Sequence, residues 1–451
     1  MKNKLYLSII SLFLFFSCDV LDVEPLHSIS ADEAITSAND IKRAVNGCYD
    51  AFQSADYYGR NYLVAGDLTA DLLTWTGTTA GYNQINNNSI LADNIIVEGI
   101  WSSLYTTLNR INNTLHRIPE VTNLTEDEVA EVEKLKGELY FLRALSHFNL
   151  VKLFGPVPIR VAPATASDED LNVPRRSVND VYEQIFTDLS AAEELITEEI
   201  ILGRASKAAV LALKARASLY FYFHSNQTSR LVDAVNAATA VIDDFGLEME
   251  NDFATLFSGT PNTESIFEIE FNEQDRNRLA EYFFPSSFSG RREFAPTQQL
   301  FNSYDAIDVR RDISIGKAGA DLYAQKYSDI EKGTDNVYVF RLAEMYLIRA
   351  EANALLQIEA SLVQSDVNKI RERAELLPVT STNFQVLLLE IETQRMKEFA
   401  FEGHRWFDLV RTGRAITVLE NVTNINQTLY PIPLNEILTN TNENMYQNDG
   451  Y

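Results

Sequence analysis

Between positions 56 and 96 the chain gathers Tyr57, Tyr58, Asp67, Asp71, Trp75 and Tyr82, with Asn83, Asn86, Asn87 and Asn88 close by. Flat rings among short carboxylates and carboxamides suit the recognition of sugars. A ring stacks on the C–H face of a pyranose, and the polar groups fix its rim of hydroxyls. Trp75, Tyr58, Tyr82, Asp67 and Asp71 are therefore candidate binding residues. A second irregular stretch, 253–336, offers Tyr282, Phe283, Phe284, Phe288, Arg291 and Arg292. One ring covering about 60 Å² of apolar sugar surface contributes roughly 1.5 kcal/mol at about 25 cal/mol/Å². Two rings and a few solvent-competed hydrogen bonds then net about −5 kcal/mol, a dissociation constant of roughly 0.2 mM.

Bond-breaking chemistry has much less support. The sequence has no G-x-S-x-G elbow, H-E-x-x-H pair, phosphate-binding loop, dinucleotide fingerprint or C-x-x-C. His27, His116, His147, His224 and His404 are scattered, with no second His or Cys at a metal-ligand spacing, so no metal or cofactor is expected. Two carboxylates can meet from anywhere in a chain, which leaves a glycosidase pair open.

One cysteine does carry a reaction. Lys2 and Lys4 precede an apolar or small-residue run, Leu5 to Phe16, which ends at Ser17-Cys18. Twelve residues fall short of the roughly 20 that cross a bilayer, so the run reads as a signal peptide. A small residue before cysteine suits lipoprotein processing, in which the Cys18 thiol is alkylated by diacylglycerol. Several acyl chains on one residue anchor it stably. Cys48, the other cysteine, then has no partner and reads as a half-buried helix residue.

These groups need a scaffold, and 451 residues with 46% hydrophobic content supply a sizeable core. The formal charge of −26 disfavours nucleic acid and anionic headgroups. Lys134 to Phe154 is helical in period, with Leu135, Leu139, Leu142 and Leu145 on one face and Gly155-Pro156 as the stop. Ala205 to His224 and Tyr338 to Leu356 carry alanine-rich stripes, which let paired helices approach closely, as in tetratricopeptide-like repeats. Further helices are expected at 39–54, 96–118, 177–199, 229–244, 361–376 and 384–403, with a β-like run at Ser265 to Phe271. Trp101 and Trp406 lie in helical patterns and read as core.

The closing quarter is the most specific part of the sequence. Residues 340–352 read FRLAEMYLIRAEA and 395–411 read RMKEFAFEGHRWFDLVR; Pro431-Ile432-Pro433 is followed by Glu436, and the end reads QNDGY. Together with Ala44 to Tyr49 and Tyr140 to Pro158, these segments resemble the SusD/RagB family across nearly all of the mature chain. Gln394 stands where the family often has Glu, and Asp449 where it often has Pro. The 3–4–3 spacing of Arg395, Glu398, Glu402 and Arg405 predicts one charged stripe across a helix and its Gly403 break.

The resemblance implies a mostly α, SusD-like fold: tetratricopeptide-like helical pairs with long irregular loops and a few short strands. The expected layout is a signal peptide at 1–17, a lipidated tether at 18–36, an N-terminal lobe at 37–250 with a ligand-binding loop at 56–96, and a C-terminal lobe at 251–451. It also implies that a ligand site includes an aromatic just after the first helix, which makes Trp75 the first choice, and that Tyr282 or Arg291 closes it. The expected role is non-enzymatic capture of oligosaccharides at the outer face of an outer membrane, beside a TonB-dependent, SusC-like transporter. An oligopeptide-binding relative, a passive helical scaffold and a surface glycosidase are the competing readings.

Overall fold

The computed structural model describes residues 35–164, 167–197 and 199–451. Cys18, the signal segment and nearly all of the tether lie outside the described residues.

Helix ends follow local capping chemistry. In α1 (Ala38–Asp50) the Ser37 hydroxyl accepts the Asp40 N–H. Two short helices, α2 (Asn61–Leu68) and α3 (Ala80–Asn86), precede α4 (Ile95–Arg117), where Asn94 Oδ1 accepts the N–H groups of Ile96 and Val97. The long α5 (Glu126–Phe154) starts in a reciprocal Thr125/Glu128 box and stops at Gly155, whose φ of +70° suits glycine. Then come α6 (Val178–Leu195), α7 (Lys207–Ser225), α8 (Ser229–Asp244), α9 (Leu279–Phe283), α10 (Leu342–Leu355), α11 (Ala360–Arg373), α12 (Phe384–Glu398) and α13 (Arg405–Arg411).

From α4 to α8 each helix packs on the next; α8 then packs on α10, and α10 on both α11 and α12. This is the stacked-pair arrangement the alanine stripes predict. Ala208, Ala212 and Ala215 of α7 are fully buried, as are Ala234 and Ala238 of α8. Forcing a larger side chain into such a contact costs roughly 1–3 kcal/mol. One apolar core runs from Ala38 to Met445, and a smaller one joins α10, α11 and α12.

Among the described residues three antiparallel pairs complete the fold: β1 (Leu73–Trp75) with β3 (Phe294–Pro296), β2 (Ser265–Ile269) with β6 (Val337–Arg341), and β4 (Ile315–Ala318) with β5 (Asp321–Ala324). Two expectations change here. The helix expected from Tyr338 starts only at Leu342, because Val337–Arg341 is a fully buried strand, and a short apolar run fits either state. The 56–96 stretch contains α2, β1 and α3. Every residue of α2 is buried, so it has no amphipathic stripe to reveal it.

The charged stripe also resolves differently. α12 ends at Glu398 and a turn containing Phe401 (φ +69°) and Gly403 (φ +77°) breaks the spacing, so the four side chains pair outward rather than with one another. Arg341 reaches Glu264 at 2.8 Å, Glu398 at 3.0 Å and Glu402 at 2.9 Å. Arg373 joins Glu264 and Glu398, Arg310 joins Asp308 and Glu398, and Lys326 joins Glu402 at 2.7 Å. Arg395 pairs with Asp408 and Arg405 with Asp71, both at 2.8 Å. Burial alone would raise the Glu398 carboxyl, but Arg373, Arg341, Arg310 and Lys326 outweigh it and hold it well below the usual range. The motif thus fastens β2, β6, α11 and α12 together through buried ion pairs.

Candidate functional site

β1 and β3 build the aromatic centre of the site. Their register sets Trp75 opposite Phe294. The Trp75 ring lies 4.6 Å from Tyr82 and 5.0 Å from Phe294; Tyr82 meets Phe294 edge-on at 5.0 Å, and Tyr282 stacks on Phe294 at 5.6 Å. Three rings from three parts of the chain therefore converge on Phe294, a residue that no sequence pattern singles out. The Trp75 N–H donates to Asn86 Oδ1 at 2.8 Å, and the Thr76 N–H donates to the Glu293 carbonyl at 2.9 Å, which fixes the strand end. Trp75 stays half-buried. Gly77 passes close over its indole: a Cβ there would come within 2.7 Å of Cη2.

A hydrogen-bond relay leads away from the rings. The Tyr82 hydroxyl donates to Asn61 Oδ1 at 2.6 Å, Arg60 Nε donates to the same oxygen at 2.8 Å, and Asn61 Nδ2 donates to Asp56 Oδ1 at 2.6 Å. Asp56 lines a cleft of about 540 Å³ with Gln53, Ser102, Ser103, Thr106 and Arg110. Hollows of about 380 and 400 Å³ adjoin it: the first shares Ser102 and Thr106 and adds Tyr105, and the second shares Asp50, Gln53 and Asp275. The three form a polar furrow across α1 and α4, a shape that fits a chain-like ligand better than a compact one.

The remaining candidates sit in two places. Tyr282 is buried, with the guanidinium carbons of Arg60 and Arg291 each 4.4 Å from its ring centre, and Arg291 Nη1 donates to its hydroxyl at 3.1 Å. Trp75, Tyr82, Tyr282 and Arg291 are thus brought together. Tyr58, Asp67 and Asp71 are not part of that group. Tyr58 packs among Phe52, Tyr57 and Tyr62, and its hydroxyl accepts from Asn149 Nδ2 at 3.1 Å. Asp67 is 1% exposed and accepts the N–H of Gly403 at 3.0 Å. Asp71 forms a two-pronged pair with Arg405 at 2.8 and 3.0 Å. The two aspartates hold α2 and the strand behind it against the closing motif, while Tyr58 ties the same region to α5 through Asn149.

Electrostatics sort the same residues. Burial pushes the Tyr58 and Tyr82 hydroxyls up to about 12, so both stay neutral. Burial also pushes Asp67 up to about 7, against the opposing pull of the Gly403 and Arg405 N–H groups. Trp101 is buried and its Nε1 faces Glu436 Oε2 at 3.4 Å; Trp406 is fully buried. Cys48 is a buried residue of α1, with its thiol 3.6 Å from the Thr114 hydroxyl. Among the described residues no three His, Cys, Asp or Glu side chains are grouped to hold a metal ion, and no helix is long and apolar enough to cross a membrane.

A family model described as starch-binding and associating with the outer membrane matches residues 19–219, and one described as the SusD family matches residues 317–427. SusD-like protein P2 of Formosa agariphila is 27% identical, with all of both chains covered. The starch-binding protein SusD of Bacteroides thetaiotaomicron is 25% identical over 71% of this chain and 74% of its own. Among solved structures, surface glycan-binding protein A from Bacteroides fluxus superposes with a TM-score of 0.80 at 26% identity, covering 92% of this chain and 100% of that one.

Proposed function

The chain belongs to the SusD/RagB family, and from that premise we propose that it captures oligosaccharides at the outer surface of an outer membrane and passes them to a SusC-like, TonB-dependent transporter. In this reading it is a binding protein without a catalytic role, held to the membrane by a lipid on Cys18. The observation that carries the proposal is the half-buried Trp75, braced by Tyr82 and Phe294 and joined through Asn61 to a long polar furrow. The ring supplies a stacking face, and the furrow supplies hydroxyls, carboxylates and Arg110 for a sugar's rim. Starch and glycan binding in two relatives' names supports the ligand class.

Binding on the order of 0.1–1 mM is expected, because each stacked ring contributes only roughly 1.5 kcal/mol. A tether beside a transporter compensates by raising the effective concentration. Isothermal titration of the lipid-free protein against oligosaccharides and peptides tests the proposal. A saturable glycan response is expected; saturable peptide binding with no glycan response would overturn it. Release of shorter sugars during prolonged incubation of the pure protein with a polysaccharide would show a glycosidase instead.

A further inference from the structure

Three arginines surround one ring of the aromatic cluster. The guanidinium carbons of Arg60, Arg291 and Arg278 lie 4.4, 4.4 and 5.8 Å from the Tyr282 ring centre. They come from two separate segments, before α2 and around α9, which the Arg278 N–H ties together by donating to the Gly59 carbonyl at 3.0 Å. Two carboxylates answer them: Arg278 grips Glu281 with two bonds, at 2.5 and 2.7 Å, and Arg291 pairs with Glu293. Arg60 is left over. Arg60 Nε donates to Asn61 Oδ1 at 2.8 Å, whose amide in turn binds Asp56; Arg60 makes no ion pair among the described residues, and its charge also acts on Glu281.

A guanidinium with no ion pair of its own thus stands on a chain of formal charge −26. The Arg278 and Arg291 side chains are 43% and 45% exposed, so the patch is open to solvent, and Arg60 is partly exposed. Stacking on Tyr282 and the bond to Asn61 fix the plane of the Arg60 guanidinium. A guanidinium held in this way is preorganised to receive a planar carboxylate or a sulfate by two parallel N–H bonds. Asn61 also joins it to Tyr82, which packs on Trp75.

We infer that the ligand is an anionic oligosaccharide, with a carboxylate or sulfate seated on Arg60 next to the sugar ring stacked at Trp75. The inference rests on the glycan-binding reading above and narrows it to acidic sugars.

Titration of the lipid-free chain with matched pairs tests it: an oligogalacturonate against its methyl ester, and a sulfated galactan oligosaccharide against its desulfated form. The charged member of one pair is expected to bind about tenfold more tightly at low salt, equivalent to about 1.4 kcal/mol. Which pair responds tells carboxylate from sulfate. Raising the salt to about 0.5 M shrinks the preference to a few-fold, since exposed charges are screened. Arg60→Gln brings the ratio within the pair towards one, and Arg60→Lys restores only part of it because the fork is lost. Equal or tighter binding of the neutral members, or binding confined to other neutral oligosaccharides, overturns the inference and leaves the proposed function standing. A salt-independent preference overturns it without recourse to any variant. No saccharide binding at all sinks the broader reading.

Discussion

Asp67 Oδ2 accepts the N–H of Gly403 at 3.0 Å, across 336 positions of sequence. Its other oxygen faces the Arg405 N–H at 3.4 Å, and a Cβ added to Gly66 would strike the Gly403 main chain. The carboxyl is pushed up from 3.8 to about 7 by burial. A group raised in the folded state stabilises fully below its unfolded value, and that contribution is lost as pH rises through the folded value. Between pH 4 and 8 the parent should lose roughly 2–4 kcal/mol that Asp67→Asn does not lose. Urea unfolding of both proteins at steps across that range measures the difference in slope; parallel curves would contradict it.

Glu398 is the busiest carboxylate of the buried ion network, touching Arg341, Arg373 and Arg310. Glu398→Gln strands those charges in the interior and should destabilise by about 3–5 kcal/mol. Its lowered carboxyl stabilises above the unfolded value and ceases to do so as pH falls towards the folded one, so the variant should also show a shallower acid-side decline. A loss under about 1 kcal/mol in equilibrium unfolding would mean that the network does not brace the fold.

Trp75→Ala should weaken binding of the identified oligosaccharide about tenfold, in line with the loss of one stacked ring. Trp75→Phe should keep part of the affinity. The indole also packs on Tyr82 and Phe294, so some thermal stability goes with it, and circular dichroism confirms that the fold remains. Binding by Trp75→Ala as tight as the parent's would move the site elsewhere along the furrow.

Cys18→Ala should release the protein from the membrane fraction of a cell that processes lipoproteins, while a chain shortened to begin after the tether folds unchanged. Fractionation followed by immunodetection reads the outcome. Membrane retention of the variant would argue against the lipid anchor.

The long helices were legible because periodic apolar residues and capping groups announce them, and Ser229–Asp244 has the bounds its pattern predicts. α2 was hidden by being buried all round, and β6 by an apolar run that suits helix and strand alike. The closing motif identified the family, yet spacing misled about its pairing, since Glu398 and Glu402 find partners 57 and 61 positions away at Arg341. Trp75, Tyr82, Tyr282 and Arg291 could be named from residue type. Their convergence on Phe294, and the part of Arg60 and Asn61, depend on strand register and a turn that no local pattern encodes.

The pairing of β1 with β3 has a consequence for the order in which the protein becomes competent. Chains are made and released from the N-terminus, so Trp75 emerges long before Phe294, the residue against which it is set. Until the later segment arrives the indole has only Tyr82 beside it and its strand has no partner. The binding face is therefore completed late, after the α4 to α8 stack can already have formed from local contacts, and a chain cut short before residue 294 would keep helices but lose its grip.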